Sequence, residues 1–155
     1  MDYAVLLEKI RTEEEILQFR EFSHDTAFQI AQSLFDRARK ENWAITFDIT
    51  RSGQQLYHCA MAGTSKDNDE WIRRKNNVVN RFSHSSYYMG LYFQSLGKTI
   101  ETESFLDIRE FLPFGGAFPI IIKNTGVIGT VTVSGLSQER DHGAVVNALR
   151  EYLNK

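Results

Sequence analysis

Apolar and polar positions follow one another along this chain in two rhythms, and the rhythms lay out its elements. Three- and four-residue spacing runs through residues 25–40, where Ala27, Ile30, Ala31, Leu34, Phe35 and Ala38 draw one stripe, as an amphipathic helix requires. Ser23 or Asp25 is suited to cap its start. Residues 67–81 carry Trp71, Val78 and Val79 on one side, and residues 141–153 carry Val145, Val146, Leu149, Tyr152 and Leu153. Residues 85–96 are apolar around much of the circumference, which predicts a helix that is buried or at a subunit interface. At the N-terminus, Leu6, Leu7, Ile10, Ile16 and Leu17 predict a helix, and the Thr12–Glu15 spacing of a capping box predicts that a second short one starts there.

The other rhythm has period two. Ile45, Phe47 and Ile49 alternate with Thr46, Asp48 and Thr50, then Arg51-Ser52-Gly53-Gln54 turns the chain into a return strand over 55–62. A second hairpin pairs residues 117–123 with 127–133 about Asn124-Thr125-Gly126. Residues 98–110 follow neither rhythm, and a short strand is expected around 110–113. Tight hairpins make an antiparallel sheet whose faces the helices must cover, so the chain reads as an α+β domain. No repeat, low-complexity stretch or Pro/Gly-rich linker divides residues 1–155, which predicts a single domain.

Composition changes this picture little, with 42% apolar and 25% charged residues. A net charge of -2 argues against a nucleic-acid binder. No apolar run has the length of a membrane span, so no membrane partner is expected. The lone Cys59 excludes an internal disulfide and, with no signal-peptide pattern at Met1-Asp2-Tyr3, predicts a cytoplasmic location.

Metal chemistry finds little support. His24, His58, His84 and His142 never fall three or four residues apart, and no Cys-x-x-Cys occurs. Ser134, Asp141 and His142 suggest a triad, but neighbouring helical residues point in different directions, so Asp141 is poorly placed to orient His142. Asp141 instead reads as the cap of the last helix. His142 has two readings: a structural hydrogen-bonding residue, or a pocket residue serving as iron ligand or proton carrier. His84 reads as a loop and cap residue, and His58 as a packed strand histidine. Arg73, Arg74, Lys75 and Arg81 offer an anion site, with Lys75 and Arg81 bordering the Trp71, Val78 and Phe82 side.

Gly115-Gly116 with Pro119-Ile120, the strand from Gly126 to Ser134-Gly135, and Asp141 after the Ser-Gly together resemble the haem-degrading-domain family of HbpS/GlcG-like proteins. With Arg74-Lys75, Arg81-Phe82, Ser85-Ser86 and Asp141-His142, the pattern is similar to that family's uncharacterised bacterial and fungal branch, over about residues 25–150. The resemblance implies a profilin-like fold, a five-stranded antiparallel sheet with helices on both faces. It also implies a dimer-based homo-oligomer, for which Tyr87–Phe93 is a reasonable interface, and haem as ligand, which some relatives degrade oxidatively.

Two functions are therefore carried forward. One is haem binding, with or without degradation, using His142, His84 or Tyr88 on the iron and Lys75 or Arg81 on the propionates. The other is a non-enzymatic homo-oligomeric module that binds a partner protein or a small carboxylate. The expected ligand region comprises His142, Asp141, Ser134, Gly135, Gly115, Gly116, Lys75, Arg81 and His84.

Overall fold

The computed structural model describes residues 1–154. Helix α1 (Tyr3–Ile16) is continuous through Thr12, and α2 (His24–Glu41) starts at a capping box in which Ser23 and Thr26 satisfy each other's backbone amides. The first hairpin is β1 (Thr46–Arg51) and β2 (Gln54–Ala60). Helices α3 (Lys66–Phe82), α4 (Ser86–Ser95) and the short α5 (Ile100–Ser104) follow. Strands β3 (Ala117–Ile122) and β4 (Gly126–Ser134) form the second hairpin, and α6 (Gln138–Leu153) closes the domain.

The four strands form one antiparallel sheet in the order β2-β1-β4-β3. The resemblance implied five strands, and the sheet has four. The segment expected to supply another, residues 110–113, spends its amides elsewhere. Leu112 N donates to Arg74 O of α3 at 3.1 Å, Phe111 N donates to Asp107 O at 2.9 Å, and Pro113 has no N–H to offer. Beyond β3 the backbone of Phe19 approaches: its N donates to Ile121 O and its O accepts from Lys123 N, both at 2.8 Å. That single bridge covers the edge without adding a strand.

Pleating sends Phe47, Ile49, Phe118, Ile120, Val131 and Val133 to one face, where α2 and α6 cover them with Ile30, Leu34, Val145 and Leu149. The opposite face presents Thr46, Asp48, Thr130, Thr132 and Ser134, all buried. Helix α3 lies over it and meets it with polar side chains: Asn76 Oδ1 accepts from Thr132 Oγ1, and Asn68 Nδ2 donates to Ser134 Oγ at 3.2 Å. Between α4 and β3, Ser86 Oγ accepts from Ala117 N at 3.0 Å. Within α4, Met89, Leu91 and Phe93 turn inward and are buried, while Tyr92 is exposed.

Candidate functional site: a cleft over the Lys75–Asp141 pair

Polar strand positions under α3 leave a cleft of about 400 Å³ where that helix, the 114–116 loop and the start of α6 meet. Its walls include the aromatic pair Trp71 and Phe114, whose rings cross edge to face at 5.7 Å. Ser134, Gly135, Leu136 and Gln138 line it from the end of β4 into α6, and Asp67 and Asn68 from the first turn of α3. Two long helices thus direct the positive ends of their dipoles toward one hollow.

Lys75 and Asp141 form its charged floor. Lys75 takes a stripe position of α3 beside Ile72, Val78 and Val79 and is only 2% exposed. Its Nζ donates to Val133 O and to Asp141 Oδ2, each at 3.2 Å, and lies 5.8 Å from the centre of the Trp71 ring. An ammonium has three hydrogens, so one is left for a ligand. Burial pushes the Lys75 amine below its usual range, although Asp141 pulls the other way. Burial likewise raises the Asp141 carboxyl, against the pull of Lys75 and of the backbone amides of Leu136 and Gly135. The Leu136 N to Asp141 Oδ1 bond is 2.8 Å.

Asp141 is therefore not the helix cap. Ser137 caps α6, its Oγ accepting from Arg140 N, and Asp141 folds back on the turn before the helix. The glycines hold the backbone close to this pair. A Cβ on Gly116, whose φ is +141°, would collide with Val133 O and stand 2.6 Å from Lys75 Nζ. One on Gly115 would collide with Gln138 O.

Of the expected ligand region, Lys75, Asp141, Ser134, Gly135, Gly115 and Gly116 come together here. His142, His84 and Arg81 do not. His142 is buried away from the cleft, its Nε2 donating to Glu13 Oε1 at 2.8 Å, with Tyr87 and Phe118 against the ring. Its Nδ1 is buried without a partner. His84 Nδ1 donates to Glu14 Oε1 at 2.6 Å, and its ring stacks on Tyr88 at 4.3 Å. Arg81 is exposed near the end of α3. His58, expected among packed neighbours, sits on the edge strand between two carboxylates, Asp48 at 2.9 Å and Asp69 at 3.1 Å.

Sequence reasoning passed over Trp71 and Phe114 as ligand walls, and Glu13 and Glu14 as partners of the histidines. Trp71 was reachable, since it stands one turn before Lys75. Phe114 lies in a loop of no periodicity and left no such signal.

Known proteins agree with this architecture. A family model described as haem degrading protein HbpS-like matches residues 22–150. The chain belongs to that family. A UPF0303 protein of Streptomyces coelicolor is 40% identical over 152 residues, covering 98% of this chain and 96% of the relative. The crystal structure of the Ybr137w protein superposes with a TM-score of 0.88 at 31% identity, covering 96% of this chain and 87% of that one. A PduOC:heme complex shares the fold with a TM-score of 0.66 at 18% identity, over 79% of this chain and 88% of the other.

Haem needs an axial ligand on its iron. The cleft lining contains no imidazole, thiol, thioether or phenol for that position. Its residues set one ammonium, Lys75, and two carboxylates, Asp67 and Asp141, beside the flat rings of Trp71 and Phe114. Among the described residues, no group of three or more His, Cys, Asp or Glu side chains is arranged to hold a metal ion, and no helix is long and apolar enough to cross a membrane.

Proposed function

We propose that the protein is a ligand-binding module that holds a small carboxylate in the Trp71–Phe114 cleft, with the carboxylate on Lys75. The observation that carries this reading is the buried ammonium with one hydrogen unspent at the floor of an aromatic-walled cavity. Two helix N-termini add favourable potential for an anion, and Trp71 and Phe114 offer faces for a planar body. A cavity of this size suits a small molecule.

Haem binding, with or without oxidative degradation, is the second reading. It is supported by membership of the HbpS-like family and by the fold shared with a protein crystallised as a heme complex. In this chain that reading falls on His84, the half-exposed imidazole whose Nε2 makes no hydrogen bond among the described residues. Exposed Arg81, three residues earlier, is the cation for a propionate.

The protein further works as a homo-oligomer. Phe105 is 88% exposed, Ile108 shares one groove with it, and Ile108 and Phe114 share another, so exposed apolar side chains interleaved with Glu101, Asp107 and Arg109 reach the rim of the cleft. A second copy seated there would narrow the mouth of the site. Phe105→Asp is expected to shift the species seen by light scattering toward monomer, and an unchanged mass would exclude this face.

Benzoate and hemin titrations, run in parallel, separate the two ligand readings. Saturable benzoate quenching of Trp71 fluorescence, unaffected by His84→Ala, supports the cleft. A saturable Soret change lost in His84→Ala and indifferent to benzoate supports haem. Benzoate without effect on Trp71 overturns the first reading.

A further inference from the structure

Lys75 combines features that simple ion pairing does not need. Lys9, Lys40, Lys66, Lys98 and Lys123 are all exposed, whereas Lys75 is enclosed, lines the cleft and has its amine 3.2 Å from a buried carboxyl. Enclosure disfavours the ammonium and so favours the free amine, the form that has a lone pair. Enclosure equally favours the protonated Asp141 carboxyl, the form able to give a proton back. Gly116 leaves the amine its room, since any Cβ at that position would press on Nζ. An amine and an acid whose environments move them toward exchanging one proton form an acid–base unit poised for covalent chemistry.

We infer that Lys75 captures carbonyl compounds covalently, its Nζ forming an imine with a small 2-oxo acid or aldehyde bound in the Trp71–Phe114 cleft. This deepens the carboxylate reading and rests on it: in a 2-oxo acid the carbonyl carbon adjoins the carboxylate, so both functions come within reach of the same floor. The steps balance without any co-reactant. Asp141 takes one proton from the Lys75 ammonium, and the Nζ lone pair attacks the carbonyl carbon. The C=O π pair moves to oxygen, which picks up a proton from nitrogen to give a carbinolamine. Asp141 then protonates the departing hydroxyl, water leaves, and the nitrogen lone pair closes the C=N bond. The product is an iminium whose remaining N–H points back to ionised Asp141, while the hydrogen bond to Val133 O is given up.

Trapping tests this directly. The intact protein is incubated with glyoxylate and sodium cyanoborohydride at neutral pH, and the lysines are mapped by peptide mass spectrometry. Reduction of the imine leaves carboxymethyl-lysine. The wild-type map is itself decisive, because the exposed lysines report the background within the same sample. Lys75 is expected to be modified faster than any of them, the direction its enclosure gives to the share of free amine. Asp141→Asn, checked for folding by circular dichroism, is expected to slow capture at Lys75 by about a hundredfold, because loss of the acid that protonates the departing hydroxyl outweighs the larger share of free amine, and to leave the surface lysines unchanged. Modification of Lys75 no faster than the surface lysines overturns the inference. Glyoxylate quenching of Trp71 in that same outcome would leave carboxylate binding standing, and its absence would remove both.

Discussion

The two faces of the sheet are built on opposite principles. Toward α2 and α6, strand side chains are Phe, Ile and Val, and they close a continuous core. Toward α3 they are Thr, Ser and Asp, equally buried, and they meet asparagines and a lysine. The apolar face derives its stability from area removed from water, which tolerates repacking. The polar face depends on its donors finding acceptors, the buried Thr46 hydroxyl apart, and an unpaired group there costs more than the pair contributes. The cleft lies on the polar face, where cohesion is specific and a ligand can compete for a hydrogen bond.

Breaking each face at its centre should produce the largest effects. Phe47→Ala empties a fully buried ring position and is expected to cost about 3–5 kcal/mol in urea unfolding. Lys75→Met should cost a similar amount, about 3–5 kcal/mol, for the contrary reason: it removes no volume but strands the Asp141 carboxylate. Adding Asp141→Asn to Lys75→Met should then recover much of the loss, whereas no second polar change recovers Phe47→Ala. Additive losses in the double variant would mean that the pair is not the organising contact of that face.

Asp141→Asn alone sharpens the contrast through pH. Without the carboxylate that raised it, Lys75 is left to burial and its folded-state pKa falls further below the ordinary 10.5. Between that depressed value and 10.5 the unfolded chain binds more protons than the folded one, so stability rises with pH and is lost as pH falls through the folded value. The thermal midpoint of the variant, relative to wild type, should therefore increase as pH is raised below 10.5. A flat or falling difference would contradict the account of Lys75.

Smaller effects test the outlying polar contacts. Thr132→Val keeps the shape of a buried strand position but leaves Asn76 Oδ1 without its donor, and about 1–2 kcal/mol is expected in the same unfolding assay. His58→Ala, at the edge of this layer, should change stability by less than about 1 kcal/mol, because buried Asp48 keeps its bonds from Thr50 and Gln55 and the contact to Asp69 is screened by solvent.

The apolar face was legible in the sequence. The stripe from Ala27 to Ala38 and the alternation through Ile45, Phe47 and Ile49 each specify an element and the side it buries, and α2, β1 and the 117–134 hairpin lie where they predict. The polar face was legible only as alternation, since nothing in Thr46-Phe47-Asp48 says that its polar side is also covered. The ligand region was read in part because Gly115, Gly116, Ser134, Gly135 and Asp141 are close in sequence, whereas Lys75 reaches Asp141 across 66 residues. The histidines were harder. What decides the surroundings of His142 and His84 is Glu13 and Glu14, two charged residues of α1 that are buried against expectation for their type.

Amide and indole shifts on titrating labelled protein with benzoate test most directly whether the polar face carries the ligand site. The account predicts saturable shifts confined to the Trp71 indole and the amides of Gly115, Gly116, Gly135 and Leu136, with those of Glu14, His84 and Tyr88 unmoved. Shifts clustered at His84, or scattered without saturation, would contradict it.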